Sequence, residues 1–338
     1  MKAYLIKAGQ KIAGLKQVQR ELSAPAAHEV LVRMRAVSLN YRDLMVADGR
    51  YLRAGDNPVI PCSDGAGEVI AIGAQVTRFS VGDRVIASFF PKWIHGAPTL
   101  QNTADALGAA VDGMLAEETV LHESALVAMP EHLSYVEAAT LPCAGVTAWN
   151  SLFVEGDLRA GDSVLLLGTG GVSIWALQLA KAAGLRTIVT SSSDAKLDRA
   201  RSLGATATIN YLTIPEWQDE VLRLTAGQGV DLVLEVGGLG TLNRSIASIR
   251  MGGGKVAIIG GVSGLDCGFN PLALIGGAKR LSGIFVGSRD MLEDLIRFMT
   301  TTEMYPVVDR VFPFQKARDA YRYLEKAEHF GKVVIQVS

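Results

Sequence analysis

The sequence predicts an α/β fold with a doubly wound parallel sheet, joined to a smaller β-rich domain. Three observations predict it. From Ser163 onward, apolar strand-like runs alternate with helical segments, which implies a parallel sheet with helices on both faces. Second, the run Leu165-Leu166-Leu167 passes straight into Gly168-Thr169-Gly170-Gly171-Val172-Ser173, and an amphipathic helix follows from Ile174 to Ala183. Third, the first third of the chain is rich in turn residues and short β-like segments rather than helical ones.

Taken in order, Met1 to Gln10 reads as the start of a strand and has no signal-peptide apolar run. Strands are expected at Glu29–Val37, Gly67–Gly73 and Asp83–Ala87. Phe90 to Gly113 is rich in Gly, Ala, Pro and Asn without a period, and reads as a surface loop. Helical stretches begin at Tyr135 and Thr147. The parallel strands are expected at Ser163–Leu167, Arg186–Thr190, Ala207–Ile209, Leu232–Val236, Val256–Ile259 and Leu281–Val286, with helices including Lys196–Leu203 and Trp217–Thr225 between them. Val307–Phe312 and Lys332–Val337 read as strands around a helix from Gln315 to Lys326, and are expected to return to the first domain. The domains are therefore placed at 1–126 with 304–338, and at 127–303.

Composition narrows the function classes. A net charge of -1 over 338 residues gives no general nucleic-acid or acidic-membrane surface. No apolar run is long enough to span a bilayer. The three cysteines, Cys62, Cys143 and Cys267, are few and far apart, which fits reduced thiols in a cytoplasm better than a disulfide framework. Gly-x-Ser-x-Gly after a strand, the mark of one class of serine hydrolase, is absent.

The glycine turn carries the chemistry. Glycines allow a sharp bend and a close backbone approach, and the helix start offers unpaired N–H groups to an anion. Gly170, Gly171 and Val172 are thus placed against a dinucleotide pyrophosphate. In such sheets ligands bind beyond the strand carboxyl ends. Val236, Ile259 with Gly260, and Phe285 with Val286 occupy those ends and are assigned to the cofactor.

Four segments resemble the medium-chain dehydrogenase/reductase superfamily, and most closely its zinc-independent quinone oxidoreductase-like branch. They are Asn40-Tyr41-Arg42-Asp43-Leu44 with Gly49-Arg50-Tyr51; Cys62-Ser63-Asp64-Gly65-Ala66-Gly67-Glu68-Val69 with Val81-Gly82-Asp83-Arg84-Val85; Pro142-Cys143-Ala144-Gly145-Val146-Thr147-Ala148-Trp149; and the glycine turn. The resemblance implies a GroES-like β domain completed by the C-terminus, a Rossmann domain between, an active site in the cleft, and a homodimer or homotetramer. It also places Thr147 near the nicotinamide.

Where zinc-dependent relatives hold their catalytic metal, this chain resembles them only at Cys143; the other two positions look like Asn40 and Ser63. Catalytic zinc needs three protein donors, so no metal is expected, and the structural zinc lobe with its clustered cysteines is absent. Cys143 then reads as a small residue beside the nicotinamide pocket.

NADP is expected over NAD. The second Rossmann strand ends in Ser191 and Ser192 where an NAD enzyme usually carries an acid; Lys196 adds a positive charge and Tyr211 resembles the tyrosine of NADPH quinone reductases. A serine-rich helix cap with a solvated lysine is the plain alternative. Asp194 reads as a cap or first-turn residue of the following helix.

Without a metal the chain suits acceptors that delocalise charge: quinones, or C=C bonds conjugated to a carbonyl. Tyr51 resembles the proton-donating tyrosine of enoyl reductases; packing is its other reading. Asn40 is an amide donor to the substrate oxygen or the nicotinamide ribose, or else an Asx-turn residue. Asp64 either backs the site or pairs with Arg42 or another base. The expected activity is reduction of a small-molecule quinone or enone by NADPH. An alcohol dehydrogenase, and a dinucleotide-binding structural or regulatory protein of low turnover, are the alternatives.

Overall fold

The computed structural model describes residues 1–51, 57–264 and 268–337, so Cys267 lies outside the described residues. The chain folds as two compact units, Met1–Val146 with Val286–Ser338, and Thr147–Phe285.

The second unit holds a six-stranded parallel sheet. Its order is Ala207–Asn210, Arg186–Ser191, Ser163–Leu167, Leu232–Glu235, Lys255–Ile258, Arg280–Gly283. Every residue of Ser163–Leu167 is buried, because both faces of a central parallel strand are covered. Leu165 and Leu167 share one core with Ile188, Trp217, Val221 and Leu242, so the Trp217–Leu224 and Leu242–Ser248 helices cover that face. The strand order reverses beside Ser163–Leu167, which pairs with Arg186–Ser191 on one side and Leu232–Glu235 on the other. Ligands of doubly wound sheets bind at such a reversal.

The first unit is built on a seven-stranded, mainly antiparallel sheet. The long Glu29–Leu39 strand pairs with Lys332–Gln336, Asp64–Ile72 and Glu118–His122. As expected from the sequence, the C-terminal strands return here: Val308–Pro313 and Lys332–Gln336 run parallel at one edge. The register pairs Val333 with Leu39. In an antiparallel pair this carries Lys332 to Asn40, 292 residues away in sequence.

Two expectations need correction. The 90–113 segment is irregular, and it is a surface loop only in part: residues 95–101 are exposed, while its ends enter the core. Phe90, Trp93, Thr103, Leu107 and Ala109 are buried, and Trp93 Nε1 donates to Gly96 O at 2.9 Å. A segment lacking period still enters a core when its backbone groups are satisfied locally. The sequence places residues 289–302 in the dinucleotide domain without marking an element there, whereas the structure forms the Arg289–Thr302 helix in the first unit. It packs on the first unit, where Arg289 N donates to Trp93 O at 2.9 Å and Arg78 pairs with Glu293 at 3.4 Å.

Candidate functional site

In the second unit, Gly170, Ser191, Val236 and Ile259-Gly260 follow or end the parallel strands at their carboxyl ends. Gly168 (φ 71°) lies in the left-handed region that favours glycine. Gly170 caps the Gly171–Ala182 helix, and no side chain fills the cap. A Cβ built on Gly168 or Gly170 would meet no atom within 4 Å. Internal packing therefore does not demand these glycines; they keep a space open in front of the first helical N–H groups. Ser173 Oγ donates inward to Leu167 O at 2.7 Å, locking strand to helix. The cradle fits a dinucleotide phosphate, with charge and N–H donors of the required sign.

The neighbouring strand ends at Ser191 with no acid at its end. Ser193 caps the Asp194–Ser202 helix by accepting from Lys196 N, and Tyr211 N donates to Ser191 O at 3.1 Å. These bonds bring Ser191, Lys196 and Tyr211 to one place, with Ser192 exposed beside them. Asp194 stands in the helix's first turn and accepts from Asn210 Nδ2 at 2.8 Å, as its sequence position implied. Thr147 is buried, and its carbonyl accepts from Ser151 Oγ at 2.7 Å.

Sequence reasoning overlooked Glu235. Its fully buried carboxylate ends the fourth strand. Oε1 accepts from Gly237 N at 2.7 Å, Gly238 N at 2.9 Å and Thr241 Oγ1 at 2.6 Å, while Oε2 accepts from Ser245 Oγ at 2.5 Å. Four donors fix the loop after Val236. That loop in turn receives Val262 N on Val236 O at 3.0 Å and Ser263 N on Gly237 O at 2.8 Å. The Val236 and Ile259-Gly260 turns are therefore held as one piece.

The first unit holds a buried polar cluster. Cys62, in a left-handed conformation (φ 71°), turns the chain so that Ser63 and Asp64 enter the sheet. Its carbonyl accepts from Met114 N at 2.8 Å, and its thiol lies 3.3 Å from the Tyr321 hydroxyl. Asp64 accepts from Ser63 Oγ at 2.7 Å and Cys143 N at 3.3 Å. Burial raises its pKa, and the Lys332 ammonium, 4.0 Å away, opposes that rise. Lys332 Nζ donates to Leu39 O at 2.6 Å and Asn40 Oδ1 at 2.5 Å. Asp64 therefore faces Lys332, not Arg42. Arg42 pairs with Asp43 at 3.5 Å, donates to Leu107 O at 2.8 Å, and lies over the rings of Tyr51 (4.7 Å) and Phe89 (4.8 Å). Burial pushes Asp43 up to about 6 despite Arg42. Burial likewise raises the Cys143 thiol.

Asn40 and Tyr51 thus belong to one cluster with Arg42, Asp43, Asp64 and Lys332. Phe89, Phe90 and Trp93 are buried in the packing of the first unit. Val286 is half-buried at φ 54°, an unfavourable conformation for a β-branched residue. Lys332 was missed because it heads an apolar strand with no local sign of a partner. Among the described residues, no group of three His, Cys, Asp or Glu side chains could hold a metal ion. Asn40, Ser63 and Cys143, with the Lys332 ammonium bonded to Asn40, do not fit a catalytic zinc.

Comparison with known proteins agrees with this architecture. Residues 26–131 match the alcohol dehydrogenase GroES-like domain, and residues 171–301 match the zinc-binding dehydrogenase domain. A zinc-type alcohol dehydrogenase-like protein of Schizosaccharomyces pombe is 45% identical over 315 residues, 91% of each chain. An NADPH-dependent alkenal/one oxidoreductase of Arabidopsis thaliana chloroplasts is 31% identical over 315 residues, 91% of this chain and 72% of that one. Among solved structures, an NAD-dependent alcohol dehydrogenase superposes with a TM-score of 0.91 at 34% identity, covering 100% of both chains. A quinone oxidoreductase of Pseudomonas syringae gives 0.84 at 28% identity, covering 99% of both. The chain is a member of the medium-chain dehydrogenase/reductase superfamily of oxidoreductases, on its quinone oxidoreductase-like branch.

Proposed function

We propose that this protein is a zinc-independent, NADPH-dependent reductase of quinones or α,β-unsaturated carbonyls. One observation carries the reading: the Lys332 ammonium is bonded to Asn40 and lies 4.0 Å from Asp64, which accepts from Ser63 and Cys143, and Asn40, Ser63 and Cys143 resemble the positions at which zinc relatives keep metal ligands. The site offers hydrogen-bond donors and one fixed cation rather than a Lewis acid.

The Gly168–Gly170 turn, the Val236 and Ile259-Gly260 turns, Thr147, Phe285 and Val286 would hold the dinucleotide, with Ser191, Ser192, Lys196 and Tyr211 around a 2′-phosphate. Bound NADPH would supply a hydride. When the β-carbon of an enone gains hydride, the C=C electrons move onto the carbonyl oxygen and an enolate forms. Asn40 donates to that oxygen. Tyr51 gives a proton to the α-carbon and recovers one from water. The Arg42 guanidinium on the Tyr51 ring holds the phenol in place. The NADPH-dependent Arabidopsis relative supports the cofactor and acceptor class, and the absence of an acid at the end of the Arg186–Ser191 strand supports the 2′-phosphate.

Oxidation of alcohols is the second reading, favoured by the likeness to an NAD-dependent alcohol dehydrogenase. The test is a nicotinamide-absorbance assay of the purified protein with quinones, enones and primary and secondary alcohols, alongside elemental analysis. We expect NADPH oxidation by a quinone or enone at sub-stoichiometric zinc. Alcohol oxidation with stoichiometric zinc would overturn the proposal. Tight NADPH binding without turnover would move the protein to a regulatory role. A homodimer or homotetramer in the cytoplasm completes the proposal; no helix among the described residues is long and apolar enough to cross a membrane.

A further inference from the structure

A carboxylate stands beside the residues assigned to a 2′-phosphate. Asp194 opens the helix that Ser193 caps and shares its first turn with Lys196. An acid near the end of this strand is what an NAD site offers to the ribose hydroxyls. Turned toward the cofactor, it would accept from a ribose hydroxyl and repel a phosphate. Asp194 is exposed, so packing does not fix its side chain. A hydrogen bond does: Asn210 Nδ2 donates to Asp194 Oδ1 at 2.8 Å. Leu212 N donates to Asn210 Oδ1 at 3.0 Å, and a backbone N–H admits only the oxygen end of an amide, so Nδ2 faces the carboxylate. Asn210 is itself held. It pairs with Ser191 in parallel register, and its carbonyl accepts from Ile214 N at 2.9 Å and Thr213 Oγ1 at 3.1 Å. Ala207–Asn210 is the edge strand of the sheet, on the far side of Arg186–Ser191 from the glycine turn. The bond therefore draws the carboxylate outward, away from the turn where the pyrophosphate is placed.

We propose that Asn210 is a positioning residue that sets cofactor preference: it holds the Asp194 carboxylate at the outer edge of the sheet, so that Ser191, Ser192, Lys196 and Tyr211 receive a 2′-phosphate without a like charge facing it. The inference rests on the NADPH reading proposed above. Released from Asn210, the same carboxylate becomes the acid of an NAD site.

The test is a cycle of N210S, D194N and the double variant, read as dissociation constants for NADPH and NADH by nicotinamide fluorescence. The serine hydroxyl still accepts from Leu212 N–H in a similar turn, but it loses the amide donor that reaches Asp194. D194N removes the charge at nearly constant shape. We expect N210S to lower the preference for NADPH over NADH about tenfold, the scale of one like-charge contact at a solvated site, and to lower it by less than about twofold in the D194N background. D194N alone should strengthen NADPH by no more than about threefold, since solvent screens a charge held to one side. An unchanged preference in N210S would overturn the inference. So would an equal loss with and without Asp194, which would mark a structural disturbance of the Tyr211 turn. A gain of about tenfold or more in D194N would mean that the carboxylate already faces the phosphate, and would overturn it as well. If the wild type binds NADH as tightly as NADPH, the NADPH reading falls, while the dependence of the N210S effect on Asp194 still decides whether Asn210 holds the carboxylate.

Discussion

Gly170→Ala separates the two demands that a glycine turn meets, stability and ligand approach. Gly170 has φ -77° and ψ -175°, which alanine adopts without strain, and its Cβ would meet no atom within 4 Å. Alanine is a poorer helix cap than glycine, at a cost of about 0.5–1 kcal/mol, but it also lowers the entropy of the unfolded chain by a comparable about 0.4–1 kcal/mol. The two nearly cancel, so the ligand-free variant should melt within a few degrees of wild type. The methyl group would stand in the space before the helical N–H groups. Pushing a phosphate off even one charge-assisted hydrogen bond costs about 1.5–3 kcal/mol, which weakens binding about 10- to 100-fold. Gly168→Ala, at φ 71°, should do the reverse: it should cost about 1 kcal/mol of stability through left-handed strain. Differential scanning fluorimetry and NADPH titration by nicotinamide fluorescence read both quantities. Wild-type NADPH affinity in a folded Gly170→Ala would refute the phosphate assignment. A large loss of melting temperature would refute the open space.

Three further outcomes are expected. Glu235→Gln should cost about 1–2 kcal/mol in urea unfolding, since the amide nitrogen can face Ser245, whose hydroxyl can turn to accept; Glu235→Ala strands the donors of Gly237, Gly238, Thr241 and Ser245 and should cost about 3–5 kcal/mol. A smaller loss for alanine than for glutamine would contradict the four-donor network. For Asp43, burial lifts the folded pKa to about 6, above the ordinary 3.8 of an aspartate. The folded state therefore binds the proton more tightly, and this residue's contribution falls as pH rises from about 4 to 6, by about 3 kcal/mol in all. Asp43→Asn should remove that decline, measured as the difference between wild-type and variant unfolding free energies at pH 4.5 and 7; a pH-independent difference would rule it out. Lys196→Ala should weaken NADPH about tenfold more than NADH, and equal effects on the two would discard the 2′-phosphate site.

The sequence alone determined the parallel sheet, the glycine turn and the strand-end positions, because these depend on local periodicity and on residues a few places apart. Ser163–Leu167 appears with the same bounds in both, and Asp194 takes its first-turn place because a cap is a local device. Only the tertiary structure decided which charge meets which. The sequence left Asp64 either backing the site or paired with Arg42 or another base; antiparallel register brings Lys332 from the last strand to Asp64 and Asn40, and Arg42 turns to Asp43 and two aromatic rings. Long-range pairing leaves no mark on neighbouring residues: a lysine or glutamate beginning or ending an apolar strand reads alike whether solvent or a buried donor awaits it. Burial then sets its worth, because a low dielectric makes a charge costly alone and strong when paired.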